Sequence, residues 1–120
     1  MEHNEDNEQI MLFDWAVAQS GKYPELSLLF HIPNGGKRNV REAARFKRMG
    51  VKAGVPDLFL PVPRGKFHGL FVELKSTKGK LSDYQRKWLS ELAASGYAAC
   101  VCFGFNEARR DILNYLEGKL

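Results

Sequence analysis

Apolar side chains recur at helical spacing near the start of the chain. Over residues 7–20, Met11, Leu12 and Trp15 follow Glu8 at intervals of three, four and seven residues, so all four share one face. Asn7 is a candidate N-cap, and a glycine follows the segment. The pattern predicts a helix whose inner face includes Glu8. That glutamate either complements the helix dipole or reaches over a neighbouring sheet as a site carboxylate.

Continuous apolar runs predict the strands. They span residues 26–32, 58–62, 70–75 and 98–103. Turn residues at 63–66 join the second run to the third, which predicts a β-hairpin. The last run has almost no polar residue, so it predicts a strand buried on both faces.

Capping signals predict three more helices. Asn39 is a candidate N-cap for a helix that runs to about Met49. Ser82 and Gln85 have the spacing of a capping box, and a final helix is predicted over residues 106–117. The order helix, strand, helix, hairpin, helix, strand, helix predicts an α/β fold with a central mixed β-sheet flanked by helices. We expect residues 1–120 to form a single domain.

The amino-acid composition limits the class of protein and its expected cellular location. Apolar residues make up 44% and charged residues 27% of the 120, which is ordinary for a folded protein in water. A membrane span and a signal peptide are both missing from the pattern, so we expect a cytoplasmic protein with no membrane contact. Cys100 and Cys102 lie in an apolar run and are expected to be buried core, because a zinc site would need more ligands nearby.

Positive charge is concentrated between residues 37 and 52, although the net charge is only +4. Arginines at helical spacing form a stripe on the second predicted helix, preceded by a glycine turn whose backbone can approach a phosphate closely. A solvent-facing helix usually mixes both signs of charge, so phosphate contact is the better interpretation. The predicted DNA-binding residues are Asn34, Gly35, Gly36, Lys37, Arg38, Arg41, Arg45 and Arg48.

Two acids and a lysine converge at one end of the predicted hairpin. Pairing across the turn places Asp57 near Leu74, and alternation puts Glu73 and Lys75 on one face. Charged groups on an apolar sheet are costly unless they are paired or bind a metal. The cluster is therefore a candidate site, although acids at strand ends also serve as turn and cap residues.

Five motifs together resemble the VRR-NUC family, the virus-type replication-repair nucleases of the PD-(D/E)xK superfamily. The motifs are Glu8 in the first helix, His31-Ile32-Pro33-Asn34-Gly35-Gly36, Gly54-Val55-Pro56-Asp57-Leu58, Glu73-Leu74-Lys75, and Leu81-Ser82-x-x-Gln85-x-x-Trp88-Leu89. Each is weak by itself, but their order is fairly specific. The resemblance implies a restriction-endonuclease-like fold and a single VRR-NUC domain.

The same resemblance implies a site. Mg²⁺ or Mn²⁺ would be held by Glu8, Asp57, Glu73 and the main-chain carbonyl of Leu74, and the catalytic residues would be Asp57, Glu73, Lys75 and Gln85. In the family, the residue that matches Lys75 assists the attacking water. Gln85 would support the site from its helix.

The resemblance further implies a DNA-repair nuclease of the small phage or bacterial kind, located in a bacterial or phage-infected cell. It would act as a homodimer on branched DNA, as a resolvase of Holliday (four-way) junctions. Two alternatives stay open: a nuclease that prefers flaps or forks, and a DNA-binding module that keeps the fold without cutting.

Overall fold

The computed structural model describes residues 5–33 and 39–120. Its elements in chain order are α1 (Glu5–Gln19), a 3₁₀ helix (Pro24–Leu28), β1 (Phe30–His31), α2 (Val40–Arg48), β2 (Leu58–Leu60), β3 (Leu70–Lys75), α3 (Asp83–Ala94), β4 (Ala98–Phe103) and α4 (Phe105–Leu116). Among the helices of these ranges, none has the length and apolar composition needed to cross a bilayer.

Four strands form one mixed sheet in the order β1-β2-β3-β4. The first two neighbouring pairs are antiparallel, and β3 pairs with β4 in parallel through the helix α3 that connects them. The predicted hairpin is therefore present. Leu58 lies opposite Val72 in its register, which aligns Asp57 with Glu73 one position further along.

The two faces of the sheet have different roles. One face carries Leu58, Val72 and Leu74, which are fully buried in the same cluster as side chains of α1 and α4. The other face carries Glu73 and Lys75, because side chains alternate along β3. Helix α3 lies on that second side. On this second face Phe59 also stacks on Phe71, and Tyr97 packs against both rings. Glu73 and Lys75 therefore lie at one end of a face that is otherwise largely apolar.

Capping residues set the helix boundaries much as the sequence predicts. The Asn39 side chain accepts a hydrogen bond from Glu42 N at 2.8 Å and caps α2. Ser82 and Gln85 form the complete capping box of α3. The buried residues of α4 are Ala108, Ile112, Tyr115 and Leu116.

Four local predictions were wrong. Asn7 lies inside α1, which includes Glu5, and is therefore not the N-cap of that helix. The strand predicted over residues 26–32 is a 3₁₀ helix followed by a two-residue strand, with Pro24 at the first helical turn and Leu26 and Leu29 buried. The second strand ends at Leu60 and not at residue 62. Strand β4 lies at a sheet edge and is half-buried over much of its length, although its sequence suggested burial on both faces.

Candidate active site

Asp57 is held by both neighbouring strands. Its main-chain carbonyl accepts hydrogen bonds from Ile32 N at 2.7 Å and from His31 Nδ1 at 2.9 Å. Its carboxylate oxygen Oδ2 accepts another from Leu74 N at 2.9 Å. Because a carbonyl oxygen only accepts, the bond to His31 requires the tautomer protonated at Nδ1. The position of the Asp57 carboxylate is therefore fixed from β1 and from β3.

A close backbone contact joins the Asp57 loop to helix α3. Gly54 has a φ of +91°, and a Cβ atom placed on it would lie 2.6 Å from the carbonyl carbon of Tyr84. Only glycine combines that conformation with that approach. Tyr84 precedes Gln85 in α3, so this contact sets the distance between the loop that carries Asp57 and the helix that carries Gln85.

Glu73 and Lys75 are buried charged residues on one side of β3. Glu73 is 1% exposed and Lys75 is 8% exposed. The Lys75 Nζ lies 3.9 Å from Glu73 Oε2, a distance at which the two groups form a long ion pair only when Glu73 is ionised. The extended register places Asp57 directly opposite Glu73. The structure therefore brings Asp57, Glu73 and Lys75 together at the end of the hairpin, as the sequence predicts.

Burial makes ionisation of Glu73 unfavourable. The pKa of its carboxyl rises from the ordinary value of 4.5 to about 9, chiefly because burial removes the carboxylate from water. The neighbouring carboxyl of Asp57 raises the pKa further, by hydrogen bonding and by its charge. Lys75 opposes the rise, and Glu5 at the start of α1 adds to it. Without a further cation, Glu73 holds its proton at neutral pH.

One side-chain amide links the N-terminus of α3 to this carboxyl. The Gln85 Oε1 accepts a hydrogen bond from Ser82 N at 2.8 Å, which completes the capping box. At its other end, Nε2 donates to Glu73 Oε2 at 3.4 Å. The capping function of Gln85 is thus compatible with a contact to the site.

The acids of α1 lie beside the ends of the central strands. The half-buried side chain of Glu8 points at Gly104, where an added Cβ atom would come within 3.1 Å of Glu8 Oε1. Gly104 N in turn donates to the carbonyl of Lys75 at 2.9 Å. Glu8 is therefore next to the strand end that carries the buried cluster, although Glu5 is the α1 acid that contributes to the raised pKa of Glu73.

The oxygen atoms of the cluster fit a hard divalent cation. When Glu73 is ionised, its buried Oε1 has no hydrogen-bond donor among the described residues. A buried carboxylate oxygen in that position is costly unless something charged or hydrogen-bonding lies against it. Carboxylates and main-chain carbonyls are the ligands that Mg²⁺ and Mn²⁺ prefer. The donor set of Asp57, Glu73 and Leu74 is therefore chemically suited to the metal that the sequence implied.

Helix α2 presents the predicted arginines to solvent. Arg41, Arg45 and Arg48 are exposed, and none of the residues of α2 is buried. Asn34, Gly35, Gly36, Lys37 and Arg38 lie outside the described residues. The described part of the cationic stripe is therefore accessible to a phosphate backbone.

The hydrogen bond from His31 to the Asp57 carbonyl is a contact that the sequence did not assign to the site. Its signal was the position of His31 at the end of a predicted strand, immediately before the Pro-Asn-Gly-Gly turn. A sequence pattern does not show which carbonyl a histidine will reach across a sheet.

Comparisons with known proteins agree with this architecture. The family model of the VRR-NUC domain matches residues 4–106. A solved structure described as a VRR_NUC domain protein is 34% identical and superimposes with a TM-score of 0.84, covering 98% of this chain and 91% of that one. A search of curated proteins gives no match. A family match over most of the chain, together with the shared fold, shows that the protein belongs to the VRR-NUC family of PD-(D/E)xK-type nucleases.

Proposed function

We propose that this protein is a metal-dependent, structure-selective DNA endonuclease that cuts four-way junctions as a homodimer. The observation that carries the proposal is the buried carboxyl of Glu73, which lies opposite Asp57 and whose Oε1, once ionised, has no hydrogen-bond donor among the described residues. A perturbed acid next to a second acid and a lysine is typical of a catalytic site. Family membership supports nuclease chemistry on DNA.

Asp57, Glu73 and the carbonyl of Leu74 would hold Mg²⁺ or Mn²⁺, with Glu8 completing the acidic cluster. When bound, such a cation lowers the pKa of a bound water and neutralises charge on the phosphate. Glu73 would ionise at neutral pH only with that positive charge beside it, because its pKa is otherwise about 9. Metal binding and loss of the Glu73 proton are therefore coupled.

Lys75 would act on the reacting groups. Gln85 would hold the carboxylate of Glu73 in position. The Lys75 ammonium lies 3.9 Å from Glu73 Oε2, so it can orient the attacking water or stabilise negative charge that develops on the phosphate. Gln85 donates to the same carboxylate oxygen and restricts its rotation. Gln85 is thus a positioning residue.

Helix α2 would supply phosphate contacts. Arg41, Arg45 and Arg48 recur at spacings of four and three, so they follow one exposed side of the helix. Each arginine that neutralises a phosphate steepens the salt dependence of binding by about 0.9 in log–log slope. Replacing all three with alanine should therefore flatten that slope by about 3 and weaken binding to every DNA shape alike.

Junction cutting and dimerisation are linked by symmetry. One chain carries one acidic cluster, whereas resolving a four-way junction requires two symmetric cuts. A two-fold dimer supplies two sites in the required relation. Selectivity for DNA shape is also favoured over selectivity for sequence, because the arginine stripe contacts phosphate and carries no evident code for bases.

The first experiment compares end-labelled DNA substrates: a four-way junction, a flap, a fork and a plain duplex. Each is incubated with Mg²⁺, Mn²⁺ or EDTA, using the wild-type protein and the Asp57→Ala and Lys75→Ala variants. Lys87→Ala, at an exposed position of α3, is the matched control for Lys75→Ala. We expect paired nicks on the junction that disappear in EDTA and in both site variants, while Lys87→Ala keeps full activity.

Other outcomes would replace the proposal. Cutting confined to flaps or forks would keep the nuclease and remove the resolvase. Junction binding without cutting under any metal condition would indicate a non-catalytic module. A mixture of tagged wild-type and Asp57→Ala chains tests the dimer: mixed dimers should nick only one of the two symmetric strands, whereas a monomeric enzyme would give paired nicks in proportion to the wild-type fraction.

A further inference from the structure

A second group of ligand-type side chains lies on the other face of the sheet, between β4 and α4. Cys100 and Cys102 are two residues apart on β4 and point to the same side, toward α4, which carries Asp111. The two Sγ atoms are 3.8 Å apart, and Cys102 Sγ lies 3.3 Å from Asp111 Oδ2. All three ligand atoms lie within 4.8 Å of one another.

Two of the three separations match the edges of a tetrahedral site. Zinc binds thiolate sulfur at about 2.3 Å and carboxylate oxygen at about 2.0 Å, so the tetrahedral edges are about 3.8 Å for two sulfurs and about 3.5 Å for sulfur and oxygen. The two short separations in the structure are 3.8 and 3.3 Å. We propose that Cys100, Cys102 and Asp111 form a Zn²⁺ site, with water at the fourth position.

Cation binding at this group would be coupled to the loss of thiol protons. The hydrogen bond with Cys100 raises the pKa of the Cys102 thiol strongly, and burial and the Asp111 charge raise it further. Without metal, the Cys102 thiol therefore keeps its proton and donates a hydrogen bond to Asp111 Oδ2. A bound cation reverses this balance, because a coordinating thiol is deprotonated outright. Each thiol that binds releases one proton to solvent.

Neighbouring groups orient the ligands and leave an approach open. Arg110 Nε lies 3.1 Å from Asp111 Oδ1, which leaves Oδ2 turned toward the sulfurs. Hydrogen bonds to the non-coordinating atom of a ligand commonly fix its orientation in metal sites. Cys102 is buried, but Cys100 and Asp111 are half-buried, so a cation can reach the group from the outer edge of the sheet.

This site is chemically and spatially separate from the acidic cluster. Cys102 is the register partner of Leu74, whose side chain is on the face opposite Glu73. Two thiolates favour Zn²⁺ over Mg²⁺ and Mn²⁺, whereas the acidic cluster has the opposite preference. The proposed Zn²⁺ site would have a structural role, because its cation would join the edge strand β4 to α4.

The test uses the full chain with the acidic cluster disabled by Asp57→Ala and Glu73→Gln. Co²⁺ is titrated as the probe, because thiolate ligation gives an intense sulfur-to-cobalt absorption band that carboxylates do not give. We expect one equivalent of Co²⁺ to produce the band, Zn²⁺ to abolish it by displacement, and Zn²⁺ to raise the melting temperature. The readout is independent of nuclease activity, so its failure and that of the proposed function are distinguishable.

Two variants and a control decide the ligand set. Cys100→Ser and Asp111→Asn change half-buried residues and should weaken Co²⁺ binding at least tenfold while the protein stays folded. Glu117→Gln changes an exposed acid at the end of the same helix and should leave binding unchanged. The proposal is overturned if no band appears, or if the band persists unchanged in Cys100→Ser.

Discussion

Replacing Glu73 with glutamine should stabilise the metal-free protein at neutral pH even as it removes a proposed metal ligand. Glu73 has a pKa of about 9 in the folded protein and 4.5 ordinarily, so the folded state binds one more proton than the unfolded state between these values. The contribution of Glu73 to stability is then greatest below about pH 4.5 and falls by about 1.36 kcal/mol per pH unit as pH rises toward about 9. From about pH 5 to about pH 7.5 the loss is about 3 kcal/mol.

Glutamine keeps the shape of the side chain and has no proton to lose. Its amide oxygen can still accept the hydrogen bond that Gln85 donates. The Glu73→Gln protein should therefore lack this pH-dependent loss and exceed the wild type by about 4 kcal/mol at about pH 7.5, because the loss accumulates from about pH 4.5. Urea unfolding in EDTA at several pH values, followed by circular dichroism, measures the difference.

Two comparisons make the result specific to the buried carboxyl. Glu91→Gln alters an exposed acid of α3 and should leave the stability profile parallel to that of the wild type. Mg²⁺ should restore wild-type stability near neutral pH and have little effect on Glu73→Gln, because the cation offsets the cost of ionisation. Wild-type and Glu73→Gln curves that stay parallel across this pH range would refute the reasoning.

Three further substitutions test the surroundings of the site. Gly54→Ala forces a Cβ atom to 2.6 Å from the Tyr84 carbonyl carbon at a positive φ, and urea unfolding should show a loss of at least about 2 kcal/mol. His31→Ala removes a hydrogen bond to the Asp57 carbonyl, and single-turnover cleavage should slow by about tenfold with little change in DNA affinity; an unchanged rate would rule out a positioning role. Tyr115→Phe removes a hydrogen bond to a buried main-chain carbonyl and should cost about 1–3 kcal/mol in urea unfolding while cleavage by the folded protein is unaffected.

The sequence predicts elements well where the deciding interactions are local. The capping box of α3 and the N-cap of α2 depend on side chains that bond to their own helix, so spacing alone identifies them. The hairpin is predictable for a similar reason, because its turn residues and its two apolar runs are adjacent. The sequence placed Asp57 near Leu74, and the observed register differs by one residue and puts Asp57 opposite Glu73.

Prediction from the sequence fails where the burial or contacts of a residue depend on neighbours that are distant in the sequence. An apolar run does not reveal whether its strand lies at the centre or the edge of a sheet, so β4 was expected to be buried on both faces. Leu26 and Leu29 are spaced for a 3₁₀ turn, yet their burial depends on packing against other elements. Asp111 lies nine residues after Cys102 on the next helix, and only the packing of α4 on β4 shows that the two meet.

The side-chain amide of Gln85 makes one contact through its oxygen and another through its nitrogen. Together these contacts restrict which residue can occupy the third position of α3. As a helix signal, glutamate and glutamine are interchangeable there, because either side chain can accept from the N-cap nitrogen. At this position they are not equivalent, since the second atom of the side chain lies 3.4 Å from a buried carboxyl. A glutamate at this position would replace the Nε2 donor with a carboxylate oxygen, which would place a second acid beside Glu73. Helix formation alone would tolerate both residues, so the choice of an amide at this position reflects the acid it faces.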